Sequence, residues 1–312
     1  MTLRKERTKE NYIKDKLSLK SKASKEIFNR AIVLMDEFCI REYKKELEEI
    51  IKYLNTLGED EAEEEIIEVM QNWINKLNNE DHYSFNSIKA YFSSLNKYLR
   101  YHRIKVDFDE EIHWPQRLGE EKYSITQEDI DKIFILAKPK KRCLYMCLAS
   151  SGARPREVIG LCKKHLSKTK NGRYMVKIPS YLTKKKQERT TFFSKDCTPY
   201  LDELLKTIDE NNLVFAQNKN VGNACINEQT IFRDYRVKAG LDKRYEGTGY
   251  GKINLYCFRG FFFTRALKIL NEDTAHAFIG HGAYLQDYQR RNDEEKEELY
   301  STLEPHLSII KH

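Results

Sequence analysis

The chain is predicted to be mainly α with one small antiparallel β-sheet: an N-terminal helical bundle followed by a C-terminal mixed α/β domain. Three observations lead there. From about residue 20 to 105, apolar side chains recur at three- and four-residue spacing, the period of helices with one buried face. That period breaks in "VDFDEEIHWPQRLGEEKY", where proline, glycine and clustered charge mark a connector. Beyond it, "RYMVKIPSYLTKKKQERTTFFS" alternates as short strands do and sits among further helical segments. A chain of 312 residues is long enough to build two cores, and the expected domains are residues 1–115 and 121–312.

The bundle is read from "KEIFNRAIVLMDEFCI", "KELEEIIKYLNTL" and "EEIIEVMQNWINKL", each apolar on one helical face. A fourth segment, "SFNSIKAYFSSLNKYLRYHRI", opens on a cap signal. It turns Ile88, Tyr91, Phe92, Leu95 and Leu99 towards a core and leaves Lys89, Lys97, Arg100 and Arg103 outside, where they are able to follow a phosphate backbone. After the connector, "SITQEDIDKIFILA" restarts the chain as a second unit, with Thr126 as N-cap and Asp129 in the acidic position of a capping box. The apolar run "KRCLYMCLASSG" is a helix ended by Ser-Gly, and the strand segment carries a lysine-rich turn. From "PYLDELLKTI" onward the chain is mostly helical again.

No apolar run approaches the length of a membrane span, and the basic N-terminus lacks the apolar stretch and small-residue cleavage site of a secretory signal, so a cytoplasmic protein is expected. Cys143 and Cys147 lie one helical turn apart in an apolar run and read as buried free thiols. "GEDEAEEEIIE" has no histidine at ligand spacing and reads as a solvated helix start rather than a metal site. The net charge of +7 is modest, yet Lys and Arg recur from Lys163 to Lys195 opposed by Glu188 alone. That asymmetry suits a polyanion such as nucleic acid, or a solvated lysine-rich surface.

Two arginines stand out. Arg154 in "ASSGARPREVIGL" follows a helix end, with Glu157 three residues on and on its side of a helix; the pair is either an ordinary salt bridge or a held guanidinium that still presents its fork. Arg259 lies inside the aromatic run "INLYCFRGFFFTRALKIL", where a buried guanidinium is costly unless an anion or carboxylate meets it.

With these in place the chain resembles the tyrosine recombinase/integrase family over most of its length. Gly152, Arg154 and Glu157 match the Gly-x-Arg-x-x-Glu context of that family's first arginine. "TKKKQERTTFF" matches its strand-turn lysine, "YCFR" part of its His-x-x-Arg box, and "IGH" its Gly-His pair. The bundle segment from Ser84 resembles the family's core-binding domain, and the helix from Ser124 the opening of its catalytic domain. The resemblance implies DNA strand cleavage through a 3′-phosphotyrosyl intermediate, without metal or cofactor. Arg154 and Arg259 are then the phosphate-binding arginines, His281 the residue that meets the phosphate or the tyrosine proton, and Lys184 the donor to the leaving 5′ oxygen. Lys185 and Lys186 are neighbours of Lys184 on the same turn and remain open for that role or for DNA contact. Tyr256 stands where the box carries histidine or lysine; it donates a hydrogen bond but holds no positive charge at neutral pH.

The nucleophile is less directly aligned. About nine residues beyond the Gly-His histidine, where the family's tyrosine usually lies, this chain has Arg290. Of the neighbouring tyrosines, Tyr284 follows His281 too closely to emerge from a separate turn. Tyr288 lies further along and fits the Gly-His-x-x-Tyr-Leu-x-x-Tyr arrangement of archaeal-type integrases, so Tyr288 is the expected nucleophile, with Tyr284 and Leu285 as packing and Tyr300 a distant third. Double-stranded DNA is the expected partner, and the family chemistry implies a homo-tetramer on DNA, with the tail "YSTLEPHLSIIKH" docking on a neighbouring protomer. A recombinase-fold protein that binds DNA sequence-specifically without strand transfer, and a relaxing activity of type IB topoisomerase kind, are the alternatives.

Overall fold

The structure, a computed structural model, describes residues 6–108, 110–117, 119, 121–217, 220–246, 249–281, 288 and 290–310. The chain divides into two compact units, Met1–Glu120 and Glu121–His312.

The first unit is all helical. A short helix α1 (Lys9–Tyr12) runs into a wider turn over Ile13–Leu17, and is followed by α2 (Lys22–Tyr43), α3 (Leu47–Leu54), α4 (Glu59–Asn79) and α5 (Phe85–Tyr101). Ser21 and Ser84 cap α2 and α5 by accepting the N–H of the residue three positions on. The apolar stripes converge on Phe28, Met35, Phe38, Trp73, Ile74, Leu95 and Leu99, all buried. Each such side chain contributes about 1.5–3 kcal/mol on burial. Tyr98 joins this core with its hydroxyl donating to Glu48. The connector closes on the same core through Phe108, Ile112 and Trp114.

The second unit opens with α6 (Gln127–Leu136), where Thr126 and Asp129 form the full capping box. Helix α7 (Pro139–Ser151) has no polar face because it is the central rod of the unit: every residue from Cys143 to Ser151 is buried. The short α8 (Pro155–Ile159) leads to strands β1 (Leu166–Lys168), β2 (Tyr174–Ile178) and β3 (Arg189–Phe193), an antiparallel sheet in the order β1-β2-β3. Ile178 pairs with Arg189 and Tyr174 with Phe193, so the β2–β3 connection is the lysine-rich segment. Strand β3 packs on α7, with the Thr191 hydroxyl donating to Ser151 O at 2.9 Å. Helices α9 (Thr198–Lys206), α10 (Val221–Lys238), α11 (Cys257–Ile269) and α12 (Glu272–Phe278), then a final helix Asp293–Leu303, surround this centre.

Leu307 and Ile309 are buried in the chain's own second unit, and Gln127 Nε2 donates to Ile309 O at 3.0 Å. No helix among the described residues is long and apolar enough to cross a membrane.

The basic stretch also looks different once folded. Arg173 is buried against Glu297 and Glu304, Lys168 pairs with Asp202, Lys177 with Asp293, and Arg189 with Glu157. Much of the field read along the sequence is met by carboxylates distant in the chain. Lys184, Lys185 and Lys186 stay exposed on the turn.

Candidate active site

The site begins where α7 stops. Gly152 closes the helix at φ +61, and a Cβ there would lie 2.4 Å from the Phe262 ring, so the turn demands glycine twice over. Two residues on, Arg154 precedes Pro155 and is held extended at φ −68 and ψ 146, the N-cap of α8.

Glu157, wholly buried in the first turn of α8, is the hub on which the site's cations converge. Its Oε2 accepts the Arg154 backbone N–H at 2.8 Å and Arg189 Nη2 at 2.6 Å; its Oε1 accepts Arg154 Nη1 at 2.9 Å. Burial alone would push the carboxyl up, but the Arg189 and Arg154 guanidinium groups overcome it and hold Glu157 below the usual carboxylate range. Arg189 spends its other arm on Phe278 O at 2.7 Å. Arg189 therefore ties α8 to the end of α12, where Ile279 and Gly280 lead to His281. Gly280 has φ +76, and a Cβ on it would come within 2.6 Å of Arg189 Nε, so the glycine of the Gly-His pair is the room in which Arg189 lies.

Arg259, on α11, donates from Nη1 to Gly152 O at 2.7 Å. Desolvation first, then the charges of Arg154 and Arg189, bring its pKa down to about 9, with Glu157 and Tyr256 opposing. Three guanidinium groups thus meet one carboxylate. Such a cluster is incomplete as a structural salt bridge and suited to an anion with several oxygens.

His281 belongs to the same cluster: desolvation, then His276, Arg259 and Arg154, lower its pKa. Its Nδ1 lies 2.6 Å from Nδ1 of His276, and the two rings stack at 4.7 Å. Tyr256 precedes α11, about half exposed, its backbone N–H donating to Asn254 Oδ1 at 2.9 Å. The turn bearing Lys184, Lys185 and Lys186 is fastened by Thr183 Oγ1, which accepts the Gln187 N–H at 3.1 Å, and Lys186 has φ 57.

Tyr288 is only 3% exposed, and its hydroxyl donates to Thr190 O of β3 at 3.1 Å. Its ring packs on Phe278 at 5.0 Å, and burial raises its pKa. Tyr300 is also buried, donating to Ser150 O at 2.8 Å. Tyr284 and Leu285 lie outside the described residues. In the first unit Lys89, Lys97, Arg100 and Arg103 are all exposed; Lys89 Nζ rests over Phe85 and Trp114 at 5.5 and 5.2 Å.

The structure thus brings Arg154, Arg259 and His281 together and adds Arg189 and His276, which sequence reasoning passed over. Arg189 was hidden in a basic run. The available signal was that, unlike its lysine neighbours, it opens a strand of aromatic and β-branched residues. Among the described residues no group of three His, Cys, Asp or Glu is placed to hold a metal ion.

Residues 124–249 match the family model described as the phage integrase family. No curated protein matches the chain in sequence. Among solved structures, the integrase of the Tn1549 transposon in complex with a circular intermediate DNA is similar over 86% of this chain and 97% of its own, with a TM-score of 0.55 and 14% identity. The same transposon's integrase with right end DNA gives a TM-score of 0.53 at 13% identity over 86% and 97% of the two chains. The XerA recombinase aligns over 89% of this chain and 98% of its own at 17% identity, with a TM-score of 0.42. The family-model match lies within the second unit, and the chain shares its fold with the Tn1549 integrase.

Proposed function

We propose that the chain is a site-specific DNA recombinase that cleaves and rejoins strands through a 3′-phosphotyrosyl intermediate. One observation carries the reading: Arg154 and Arg189 bond the Glu157 carboxylate while Arg259 beside them bonds Gly152 O, so a partly buried excess of positive charge awaits an anion. Arg154 and Arg259 hold the non-bridging oxygens of the scissile phosphate and meet the charge added as it becomes five-coordinate. Arg189 stays with Glu157. His281 meets the phosphate or the tyrosine proton, Tyr256 donates a hydrogen bond beside Arg259, and Lys184 on the exposed turn protonates the leaving 5′ oxygen. Tyr288 is the nucleophile. Held at Thr190 O it is protonated and shielded, so attack requires its release from β3, with loss of its proton accompanying attack.

Lys89, Lys97, Arg100 and Arg103 follow the backbone of double-stranded DNA, as do Lys185 and Lys186 on the turn. Exchange between two duplexes requires four such sites, so four copies assemble on DNA. The protein named in the solved complexes, the Tn1549 integrase, is bound to DNA, which supports this partner by likeness.

The test uses a randomised pool of nicked duplexes, in which a departing fragment traps any covalent complex. The reading expects an adduct stable to denaturant, lost in Arg154→Ala and in Tyr288→Phe and retained in Tyr284→Phe. Binding without adduct would instead support a recombinase-fold DNA-binding factor, to which the burial of Tyr288 lends weight. Relaxation of plasmids without any preferred site would support a topoisomerase-like activity. An adduct lost in Tyr284→Phe but kept in Tyr288→Phe would move the nucleophile and leave the reaction class intact.

A further inference from the structure

The geometry of the His281–His276 pair is restrictive. Their Nδ1 atoms are 2.6 Å apart, so one carries the shared proton and the other accepts it. On the far side of His276, Nε2 lies 3.4 Å from Glu272 Oε1, one helical turn back on α12. An ionised carboxylate only accepts, so a neutral His276 facing it carries its proton on Nε2 and leaves Nδ1 bare. His281 must then carry its own proton on Nδ1, and its Nε2 is a lone pair. Glu272 thereby selects the tautomer of a ring it does not touch.

We propose that Glu272, His276 and His281 form a proton relay that presents Nε2 of His281 as the base for the attacking hydroxyl, with His276 and Glu272 as positioning residues. This inference rests on the recombinase reading. In the step, the tyrosine oxygen bonds to phosphorus, its proton passes to His281 Nε2, and the His281 Nδ1 proton crosses to His276 Nδ1. His276 becomes an imidazolium facing Glu272, while His281 is again neutral and now holds an Nε2–H to donate to the phosphate. The phosphorus–O5′ bond breaks, and that oxygen takes its proton from a lysine of the β2–β3 turn. Rejoining runs the same transfers backwards.

The surroundings favour a neutral His281. Arg154 of α8 and Arg259 of α11 face it with positive charge, His276 of α12 does so when protonated, and Phe263 of α11 packs against the ring at 6.2 Å. Among the described residues Glu272 places a carboxylate beside this pair, against His276. Desolvation leads the causes that lower the His281 pKa, and the three cationic neighbours come after it. A base poised in this way takes a proton only when a neighbouring group relieves it of another, and His276 is that group.

The full chain labelled with 15N-histidine tests this, because long-range proton–nitrogen correlations show which ring nitrogen is protonated. Above the histidine range, His281 is expected as the Nδ1–H tautomer, the minority form of free histidine. Glu272→Lys, at an exposed position, should invert the chain so that His276 donates and His281 becomes Nε2–H; Glu272→Gln, which still accepts, should preserve the wild-type pattern. Circular dichroism checks that each variant folds. With the randomised nicked duplexes, Glu272→Lys should form adduct about tenfold more slowly at unchanged DNA binding, with Glu272→Gln largely restored. An Nε2–H His281 in the wild type, or a tautomer indifferent to Glu272→Lys, overturns the relay. If the wild type gives no adduct while His281 is Nδ1–H and Glu272→Lys inverts it, the recombinase reading fails and the tautomer device stands.

Discussion

Arg259→Met should stabilise the protein while removing its ability to hold phosphate. The fall of its pKa from the ordinary arginine value to about 9 is worth, at about 1.4 kcal/mol for each tenfold, on the order of 5 kcal/mol in the native state as an upper bound. Arg259 is only half-buried, and solvent screening reduces this to about 2 kcal/mol. Methionine keeps the length and apolar packing but forfeits the bond to Gly152 O, about 1 kcal/mol. The net expectation is a gain of about 1 kcal/mol, or roughly 2–4 °C in Tm for a unit of this size. The guanidinium keeps its proton throughout the range in which the protein folds, so the advantage of the variant should be the same at neutral and mildly alkaline pH. Urea unfolding in an anion-free buffer measures it, and added inorganic phosphate should raise the wild type's stability but not the variant's. A variant less stable than the wild type at neutral pH without phosphate would refute the view of Arg259 as an uncompensated cation.

Two further substitutions probe the frame around the site. Gly280→Ala combines a left-handed backbone with a Cβ 2.6 Å from Arg189 Nε, so it should displace Arg189 from Glu157 and cost about 3 kcal/mol in denaturant unfolding; a loss below about 1 kcal/mol would show that Arg189 has room to move. Arg173→Met leaves the partly buried Glu297 and Glu304 without their cation, and should cost about 2 kcal/mol. It should also weaken the acid response. Although burial raises the Glu297 carboxyl, bonds from Thr169 and Arg173 hold it below its ordinary value, so its contribution is present above the carboxylate range and lost as pH falls through the native pKa. An acid-unfolding profile identical to that of the wild type would contradict this.

Helices were readable because they leave a local mark. Apolar spacing and the caps at Ser84 and at Thr126 with Asp129 lie within a few residues of the elements they determine. Strand β1 left none: three residues, none of them buried, paired only because β2 lies beside it. Arg154 and Arg259 were legible as anomalies, an arginine at a helix end and another among phenylalanines. Arg189 was not, since its partners Glu157 and Phe278 O lie 32 and 89 residues away, and its local mark, a place at the start of a strand of aromatic and β-branched residues, says nothing of them. His276 was overlooked for the opposite reason, being an ordinary polar residue on a short helix until His281 folds back five residues to meet it. Charge was the most misleading signal, because a run of one sign says nothing of the carboxylates that other elements bring to it.

Strand β3 carries unrelated burdens in adjacent residues. Arg189 braces Glu157, the Thr190 carbonyl holds Tyr288, the Thr191 hydroxyl is pinned to α7, and Phe192 and Phe193 fill two different apolar clusters. A strand with one loyalty drifts under mutation by exchanging one apolar side chain for another. This one has little such freedom, since a shift that repairs packing at Phe193 moves the carbonyl on which Tyr288 rests. Variation within this sheet should therefore accumulate at the exposed Ser167 and Lys168 of β1 and be purged from these five positions. A library of sequence changes scored only for folding would already reveal the contrast, before any DNA is added.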